Sequence, residues 1–269
     1  MRGDFKIMSL IMTIYLNDGI VMASDSRTTL TLTETKEETK IISNFPFSDS
    51  TFKTFESPNK CGISTCGNSS YLNKPISGFI EKFLITNING NTTIKELANK
   101  ITDYFTNLDS NKKTIFHVCG FEKNENNEYF GIFYNCVTGT NKKVELIDTS
   151  CQGAFWSGET NTLVKLIRPQ IIDPIVLGET DWEVETNGIK NVVKGYVIQK
   201  ENIHYNELSS IQWHLMTIPD ALNFIDFAFE TTINDMKFQS IAKTVGGPIN
   251  ILIVKPNETT WARKNKITN

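Results

Sequence analysis

The segment with the clearest chemical potential is residues 9–29, SLIMTIYLNDGIVMASDSRTT. Ser9 stands at the start of an apolar run that ends in a polar turn at 17–19, and a second apolar run then leads to Asp25. Two runs of β-forming residues around an Asp-Gly turn predict a β-hairpin. A small residue at the start of such a hairpin, with an Asp at its far end, could be a self-activating nucleophile.

Other common catalytic and cofactor motifs are missing from the sequence. The histidines at 117, 204 and 214 lie far apart, and no HExxH occurs, so a metal site is not expected. The segment 62–66, GISTC, lacks the second glycine of a nucleophile elbow, and neither a P-loop nor GxGxxG is present. The sequence therefore predicts no metal and no cofactor, and it favours core or interface roles for the histidines at 117 and 214.

The elements that would position residues 9–29 follow from periodicity and turn residues. Helices are predicted over 71–84, 94–108, from about 160, and over 221–236. Strands are predicted over 10–16, 20–23, 52–55, 61–66, 114–120, 129–137, 144–148 and 249–254. Thr93 and Glu96 form a capping box before the second helix. Strand pairs followed by helices and further strands favour a layered α+β domain with antiparallel sheets.

Two stretches are less clear. Residues 28–50 are rich in Thr, Glu, Ser and Lys, which indicates an exposed excursion, and residues 171–210 give no clear pattern.

The hairpin resembles the opening of a mature proteasome β-subunit and of its bacterial relatives of the HslV and Anbu type. In that family of N-terminal nucleophile (Ntn) hydrolases, a Thr starts the first strand, a Gly closes the turn, and the second strand leads to Asp-x-Arg-x-Thr. Gly19 and the segment 25–29, DSRTT, match these positions, and counting back without a gap places Ser9 at the family's Thr.

A second segment is similar to the family in the same register. Residues 52–55, FKTF, and 61–67 resemble the lysine-bearing strand and the strand after it, and the spacing from Lys53 to Gly67 fits without a gap. The segments 153–159, GAFWSGE, and 244–249, TVGGPI, also resemble family turns, with lower specificity. The resemblance covers most of the chain, strongly over residues 9–70 and weakly over 85–240.

The resemblance implies a fold and a set of catalytic roles. The fold would be a four-layer αββα sandwich of two antiparallel sheets flanked by helices, as one domain over residues 9–269. Ser9 would be the nucleophile, with its own α-amine as base, because an α-amine has an ordinary pKa of about 8. Lys53, as an ammonium, would lower the pKa of the Ser9 hydroxyl and amine, and Asp25 would hold it charged. The backbone N–H of Gly67 would form the oxyanion hole.

The family's remaining polar helpers match less well. Ser157 lies in a segment where the resemblance implies a further catalytic residue, whereas Ala242 stands where the family has an acid before the late glycine pair. A serine at position 9 is chemically competent, although it lacks the methyl group that helps to fix a threonine rotamer.

Three functions stay open on the sequence alone. The first is a proteasome-like peptidase that cleaves peptides or unfolded proteins within a homo-oligomeric ring, with an ATPase partner left open. The second is an Ntn amidase or acylase that acts on a small amide. The third is a catalytically inactive proteasome-fold module for assembly or interaction, which the Ser9 replacement and Ala242 favour and the Asp25–Lys53 pair disfavours.

The chemistry requires a free amine at Ser9, so residues 1–8 are expected to be a propeptide or a misassigned start. A start at Met8, followed by removal of that methionine before the small Ser9, would expose the nucleophile directly.

Composition limits the partners and the location. The net charge of −3 and the pI near 5.7 disfavour a nucleic-acid partner. Five cysteines without a CxxC pair fit reduced thiols in the cytoplasm better than a disulfide framework. Because every apolar run is too short to span a bilayer, a membrane partner is not expected.

Overall fold

The computed structural model describes residues 9–36, 39–167, 170–172, 175–186, 189–199, 203–205, 211–239 and 242–265, with only the backbone described over 30–44 and 166–210. Residues 1–8, predicted to be a propeptide or a misassigned start, lie outside this range. The chain divides into two compact units, Met1–Thr162 with Gln212–Asn269 and, separately, Leu163–Ile211. The single domain over 9–269 stays a prediction.

The strands, in chain order, are β1 (Leu10–Tyr15), β2 (Ile20–Ser24), β3 (Thr28–Lys36), β4 (Thr39–Ser48), β5 (Thr54–Glu56), β6 (Gly62–Gly67), β7 (Ser70–Tyr71), β8 (Lys74–Pro75), β9 (Thr114–Lys123), β10 (Tyr129–Val137), β11 (Lys143–Ile147), β12 (Gly153–Gly158), β13 (Gln170–Ile172), β14 (Ile175–Thr186), β15 (Ile189–Gln199), β16 (Ile203–Tyr205), β17 (Asn250–Lys255) and β18 (Glu258–Arg263). The helices are α1 (Ile76–Asn87), α2 (Ile94–Leu108), α3 (Asn161–Ile167), α4 (Ile218–Phe238) and a 3-10 turn at Trp213–Leu215.

The larger unit contains two five-stranded antiparallel sheets. The first has the strand order β12-β1-β2-β17-β18, and the second has the order β11-β10-β9-β6-β5. Their facing sides share a buried apolar cluster, which comprises Ile20, Met22, Cys119, Phe133, Leu252 and Val254. The predicted α+β class with antiparallel sheets is confirmed.

Helices cover the outer sides of both sheets. Side chains of α1 and α2 form one buried cluster with β6 and β9 of the second sheet. The apolar face of α4 contacts β1 and β2 of the first sheet. Because each sheet is covered on the side away from its partner, β1 and β2 are buried almost throughout and read as near-continuous apolar runs.

Most predicted elements are confirmed with small shifts at their ends. The helix predicted over 71–84 is an exception, because β7 and β8 precede it and it begins at Ile76. The first hairpin pairs Leu10–Tyr15 with Ile20–Ser24, and α2 has the predicted bounds and capping box. Residues 28–50, predicted to be an excursion, contain the antiparallel hairpin of β3 and β4 instead. In β3, leucine alternates with threonine, as is typical of a strand, but the polar composition of the stretch favoured a loop.

The smaller unit consists largely of paired strands. β14 pairs with β15, with a register shift between Val176 and Glu179, and β13 pairs with β16. These strands account for much of the stretch that gave no clear pattern in the sequence.

Candidate active site

Ser9 lies immediately before β1, in a conformation that its neighbours hold on both sides. Its backbone φ is +93°, a region that strongly favours glycine. Its carbonyl oxygen accepts a 2.8 Å hydrogen bond from the backbone N–H of Glu159. A Cβ atom on Gly158, where φ is +105°, would lie 1.9 Å from that oxygen. Only glycine at 158 lets β12 approach the nucleophile candidate so closely.

Lys53 joins the predicted nucleophile to the predicted acid. Its Nζ donates to Ser9 Oγ at 2.8 Å, to Asp25 Oδ1 at 2.8 Å and to the carbonyl oxygen of Arg27 at 2.5 Å. The residue is 4% exposed. Three acceptors match the three donors of an ammonium group, whereas a neutral amine would have one donor too few. The geometry therefore fits a charged lysine, with Ser9 Oγ as an acceptor whose own proton is free to leave.

Asp25 is fully buried and has donors on both oxygens. Oδ1 accepts from Lys53 and from the backbone N–H of Leu10 at 3.1 Å. Oδ2 accepts from the backbone N–H groups of Arg27 at 3.1 Å and Gly246 at 3.2 Å. A carboxylate with this many donors is stabilised in its charged form. The Asp25 side chain thus fixes Lys53, the start of β1 and the late glycine turn at the same time.

Arg27 holds the neighbouring segments without touching Ser9. Its guanidinium makes a two-pronged contact with Asp49, at 2.6 and 2.7 Å. The Asp49 carboxylate raises the pKa of Arg27, and the guanidinium lowers the pKa of Asp49. A Cβ on Gly246 would lie 2.4 Å from Arg27 Cζ. The turn predicted over 244–249 is therefore packed directly on the Asp-x-Arg segment.

Gly67 ends β6 and lines the same small cavity as Ser9. Its φ is +108°, and a Cβ there would lie 2.8 Å from the carbonyl oxygen of Lys113, so glycine is required. A small cavity of about 10 Å³ separates this turn from the nucleophile candidate. Its wall is formed by Ser9, Thr51, Lys53, Thr65, Cys66, Gly67, Asn68, Ser69 and Ile76.

Ser157 takes part in a different hydrogen-bond network. Its Oγ lies 2.9 Å from His117 Nε2, and His117 Nδ1 lies 2.9 Å from Thr13 Oγ1. His117 is fully buried, and burial lowers its pKa to about 3, so the ring is neutral. The predicted core role of His117 is confirmed. The structure therefore brings together Ser9, Asp25, Lys53 and Gly67 and places the Ser157 hydroxyl on a buried histidine.

Comparisons with known proteins give a likeness among solved structures and none among family models or curated proteins. No family model matches the sequence, and no curated protein is similar to it. Among solved structures, the chain is similar to an Anbu (Gly-1) mutant from Hyphomicrobium sp. strain MC1, with a TM-score of 0.49 and 12% identity. The likeness covers 97% of this chain and 87% of that one. Roles for individual side chains follow from the contacts within this chain.

The described residues offer neither a metal site nor a membrane-spanning helix. They contain no group of three or more His, Cys, Asp or Glu side chains placed to hold a metal ion. No helix among them is long and apolar enough to cross a membrane.

Four residues of the site and of the separate His117 network were not predicted to contribute. Gly158 lay inside the segment 153–159, whose glycines gave a signal for a close approach. Thr13 and His117 gave no signal, because they are separated by 104 residues. Thr65 could have been suspected from its place two residues before Gly67.

Proposed function

We propose that this protein is a proteasome-like Ntn hydrolase that cleaves peptide bonds with Ser9 as its nucleophile. The observation that carries the proposal is the bridge that Lys53 Nζ forms between Ser9 Oγ and Asp25 Oδ1, at 2.8 Å on each side. Burying a lysine and an aspartate together costs desolvation free energy that an apolar pair would avoid. An ion pair aimed at a serine hydroxyl is therefore better explained by chemistry than by stability.

The Lys53 ammonium assists the attack but is not the base. With its protons donated to three acceptors, it favours negative charge on Ser9 Oγ as the hydroxyl proton leaves. That proton passes to the α-amine of Ser9, which becomes free when Ser9 is the first residue. Asp25, held by its backbone donors, keeps the ammonium in place.

The reaction then has two steps, formation of an ester on Ser9 and hydrolysis of that ester. Ser9 Oγ forms a bond to the substrate carbonyl carbon, and the negative oxygen of the intermediate accepts from the backbone N–H of Gly67. The carbon–nitrogen bond then breaks, and the proton held by the α-amine moves to the leaving amine. Water attacks the resulting ester, gives one proton back to Ser9 Oγ, and releases the acid.

The backbone at Ser9 supports removal of residues 1–8. A φ angle exists only while a carbonyl carbon precedes the residue, and at +93° this angle is strained for serine. Freeing the amine of Ser9 would release that strain and create the base in the same event. Cleavage of a propeptide, or a start at Met8 followed by removal of that methionine, would each expose the amine of Ser9.

The same proposal extends to the fold and the assembly. Two facing sheets, with α1 and α2 on one outer side and α4 on the other, support a four-layer αββα sandwich. We propose a cytoplasmic homo-oligomer that acts on peptides or unfolded proteins, with no metal, cofactor or nucleic-acid partner. Ser157 supports the site through β12, which carries Gly158 against Ser9. An amidase of the same superfamily is the second candidate, favoured by the small size of the cavity beside Ser9.

Hydrolysis by chains with defined first residues tests the proposal. A chain that begins at Ser9, released from a fusion partner, should cleave a mixture of short peptides. A chain that begins at Met1 and keeps residues 1–8, and a Ser9→Ala variant of the short chain, should both be at least about a thousandfold slower. Full activity in the Met1 chain with intact mass would contradict the amine-base mechanism.

A further inference from the structure

Three buried hydroxyl groups link the two five-stranded sheets next to the candidate site. Thr54 Oγ1 donates to Ser24 Oγ at 2.8 Å and lies 2.9 Å from Ser64 Oγ. Each of the three residues is at most 1% exposed. Ser24 comes directly before Asp25, and Thr54 comes directly after Lys53. The hydroxyl groups therefore join the two chain segments that carry the buried ion pair.

The two hydrogen bonds of Thr54 connect different parts of the fold. Thr54 and Ser64 lie opposite each other in the antiparallel pair of β5 and β6, so backbone pairing already holds them together. Ser24 belongs to β2, which pairs with β1 and β17 in the other sheet. Because a hydroxyl group has one proton, Thr54 accepts from Ser64 when it donates to Ser24. The bond from Thr54 to Ser24 thus ties β5 to the end of β2 where strand pairing does not.

Packing alone does not require hydroxyl groups in this place. Elsewhere the facing sides of the sheets share an apolar cluster that includes Met22, Cys119 and Leu252. Apolar contacts are non-directional, whereas a hydrogen bond has a preferred length and angle. When both partners of a buried hydrogen bond are replaced by apolar groups of the same shape, stability can be nearly unchanged. The three hydroxyl groups are therefore better explained by the placement they impose than by stability.

The position of the Lys53 ammonium depends on the backbone that carries it. A lysine side chain is a flexible four-carbon stem, so its charge is placed well only when its backbone is fixed. The carbonyl oxygen of Lys53 accepts from the backbone N–H of Thr65 at 2.8 Å. At the other end, Nζ contacts Ser9 and Asp25, which flank β1 and β2 of the other sheet. A shift of β5 relative to β2 would change both of these distances.

We propose that Thr54 is a positioning residue, which sets the distance between the Lys53 ammonium and Ser9 Oγ through its hydrogen bond to Ser24. The proposal rests on the proposed function of Ser9, because a reaction at that hydroxyl requires the ammonium at one distance. Thr54 itself does not touch the reacting atoms. Its hydroxyl acts through the two strands that it joins.

Peptide hydrolysis by variants of the chain that begins at Ser9 tests the proposal. Thr54→Val keeps the shape and removes the hydroxyl, so kcat should fall about tenfold while KM stays nearly the same, because a displaced catalytic group slows the chemical step. Thr54→Ser keeps the hydroxyl and should recover most of kcat. Thr102→Val, which removes a buried hydroxyl bonded to the carbonyl oxygen of Ala98 in α2, should leave kcat unchanged. An unchanged kcat in Thr54→Val, or a Thr54→Ser variant as slow as Thr54→Val, overturns the proposal.

Variants of the two partners distinguish the two hydrogen bonds. Ser24→Ala removes the bond between the sheets, so it should lower kcat about as much as Thr54→Val does. Ser64→Ala leaves that bond in place and should lower kcat much less. These variants also test the proposal if Thr54→Val fails to fold. An effect of Ser64→Ala on kcat that equals that of Ser24→Ala overturns it.

The NMR signal of the Lys53 ammonium separates this proposal from the catalytic one. In the full chain with isotope-labelled lysine, the hydrogen-bonded protons on Nζ should exchange slowly with water. Thr54→Val should speed this exchange about tenfold, whereas Thr54→Ser and Thr102→Val should not. If the chain that begins at Ser9 cleaves no peptide while this difference holds, the catalytic proposal fails and the positioning of Lys53 by Thr54 stands. An exchange rate that Thr54→Val leaves unchanged overturns the positioning role whatever the catalytic result.

Discussion

Two buried polar clusters lie along the first hairpin and differ in charge. One includes Ser9, immediately before β1, and the other includes Thr13, within β1. At Ser9, the partners are the ion pair of Lys53 and Asp25. At Thr13, the partner is the neutral ring of His117.

The difference in charge distinguishes a cluster suited to a reaction from a cluster that only packs the core. In the His117 cluster, each ring nitrogen is hydrogen-bonded to one hydroxyl group. Both polar atoms of the buried ring therefore have a partner, as packing in a protein core requires. In the Lys53 cluster, the ammonium occupies Ser9 Oγ as an acceptor and leaves the serine proton uncommitted. Since a buried ion pair contributes little net stability, we propose that its presence beside Ser9 reflects function there.

The largest effect is expected where the ion pair is broken. Lys53→Met should lower the free energy of unfolding by about 3–5 kcal/mol, because Asp25 would stay buried without its counter-charge. Urea unfolding measures the loss. Adding Asp25→Asn should recover part of it, because the remaining pair carries no charge. A single variant as stable as the natural chain would mean that the pair is not buried in solution.

The next effect concerns the contact that positions Ser9. Gly158→Ala places a Cβ against the carbonyl oxygen of Ser9 at a positive φ, so we expect a loss of about 3 kcal/mol and a much slower hydrolysis. Gly78→Ala is the matched control. Its Cβ would meet nothing within 4 Å, and in α1 an alanine should stabilise by about 0.5–1 kcal/mol. Thermal unfolding of both variants gives the comparison, and equal effects would contradict the described approach of β12.

Acid should destabilise the neutral cluster in a defined range. The folded-state pKa of His117 is about 3, below the ordinary value of 6.5, so the unfolded chain binds the proton first as the pH falls. The free energy of unfolding that depends on the neutral His117 ring is fully present above about pH 6.5. About 2 kcal/mol of it should be lost between pH 6.5 and pH 5. His117→Leu should remove this part of the pH dependence.

His214 provides the control for the acid experiment. Its side chain is exposed, so His214→Gln should keep the pH dependence of the natural chain. Urea unfolding at several pH values measures all three chains. A pH dependence that is unchanged in His117→Leu would show that the pKa of this ring is the same in the folded and unfolded chains.

The smallest effect tests how Ser157 acts. Thr13→Val and Ser157→Ala each remove one hydroxyl from His117, so each should cost about 1 kcal/mol. Both should also lower kcat for peptide hydrolysis by a similar small factor. If Ser157→Ala slows hydrolysis more than about tenfold beyond Thr13→Val, Ser157 acts on the reaction directly.

Much of the site could be predicted because its signals are local in sequence. The hairpin of β1 and β2 was visible from two apolar runs and an Asp-Gly turn, and α2 from its capping box and its helical spacing. Ser9 and Asp25 stand at the two open ends of this hairpin, so the pairing of β1 with β2 places them close together. Their roles in catalysis stay predictions.

The rest of the site depends on contacts that a sequence pattern does not encode. The partners of His117 come from β1 and β12, far along the chain in either direction. The hairpin of β3 and β4 was missed because its composition is that of an exposed loop. The hydrogen bond from Thr54 to Ser24 becomes visible only when the two sheets are placed against each other.

Covalent labelling of Ser9 tests the central claim most directly. An epoxyketone, which can bond to the hydroxyl and the amine of one residue, should add a single mass to the chain that begins at Ser9, and peptide mapping should place it on Ser9. The Ser9→Ala chain and the chain that begins at Met1 should gain no mass. An unlabelled chain with a verified Ser9 terminus, under conditions that label an active proteasome, would contradict the proposed nucleophile.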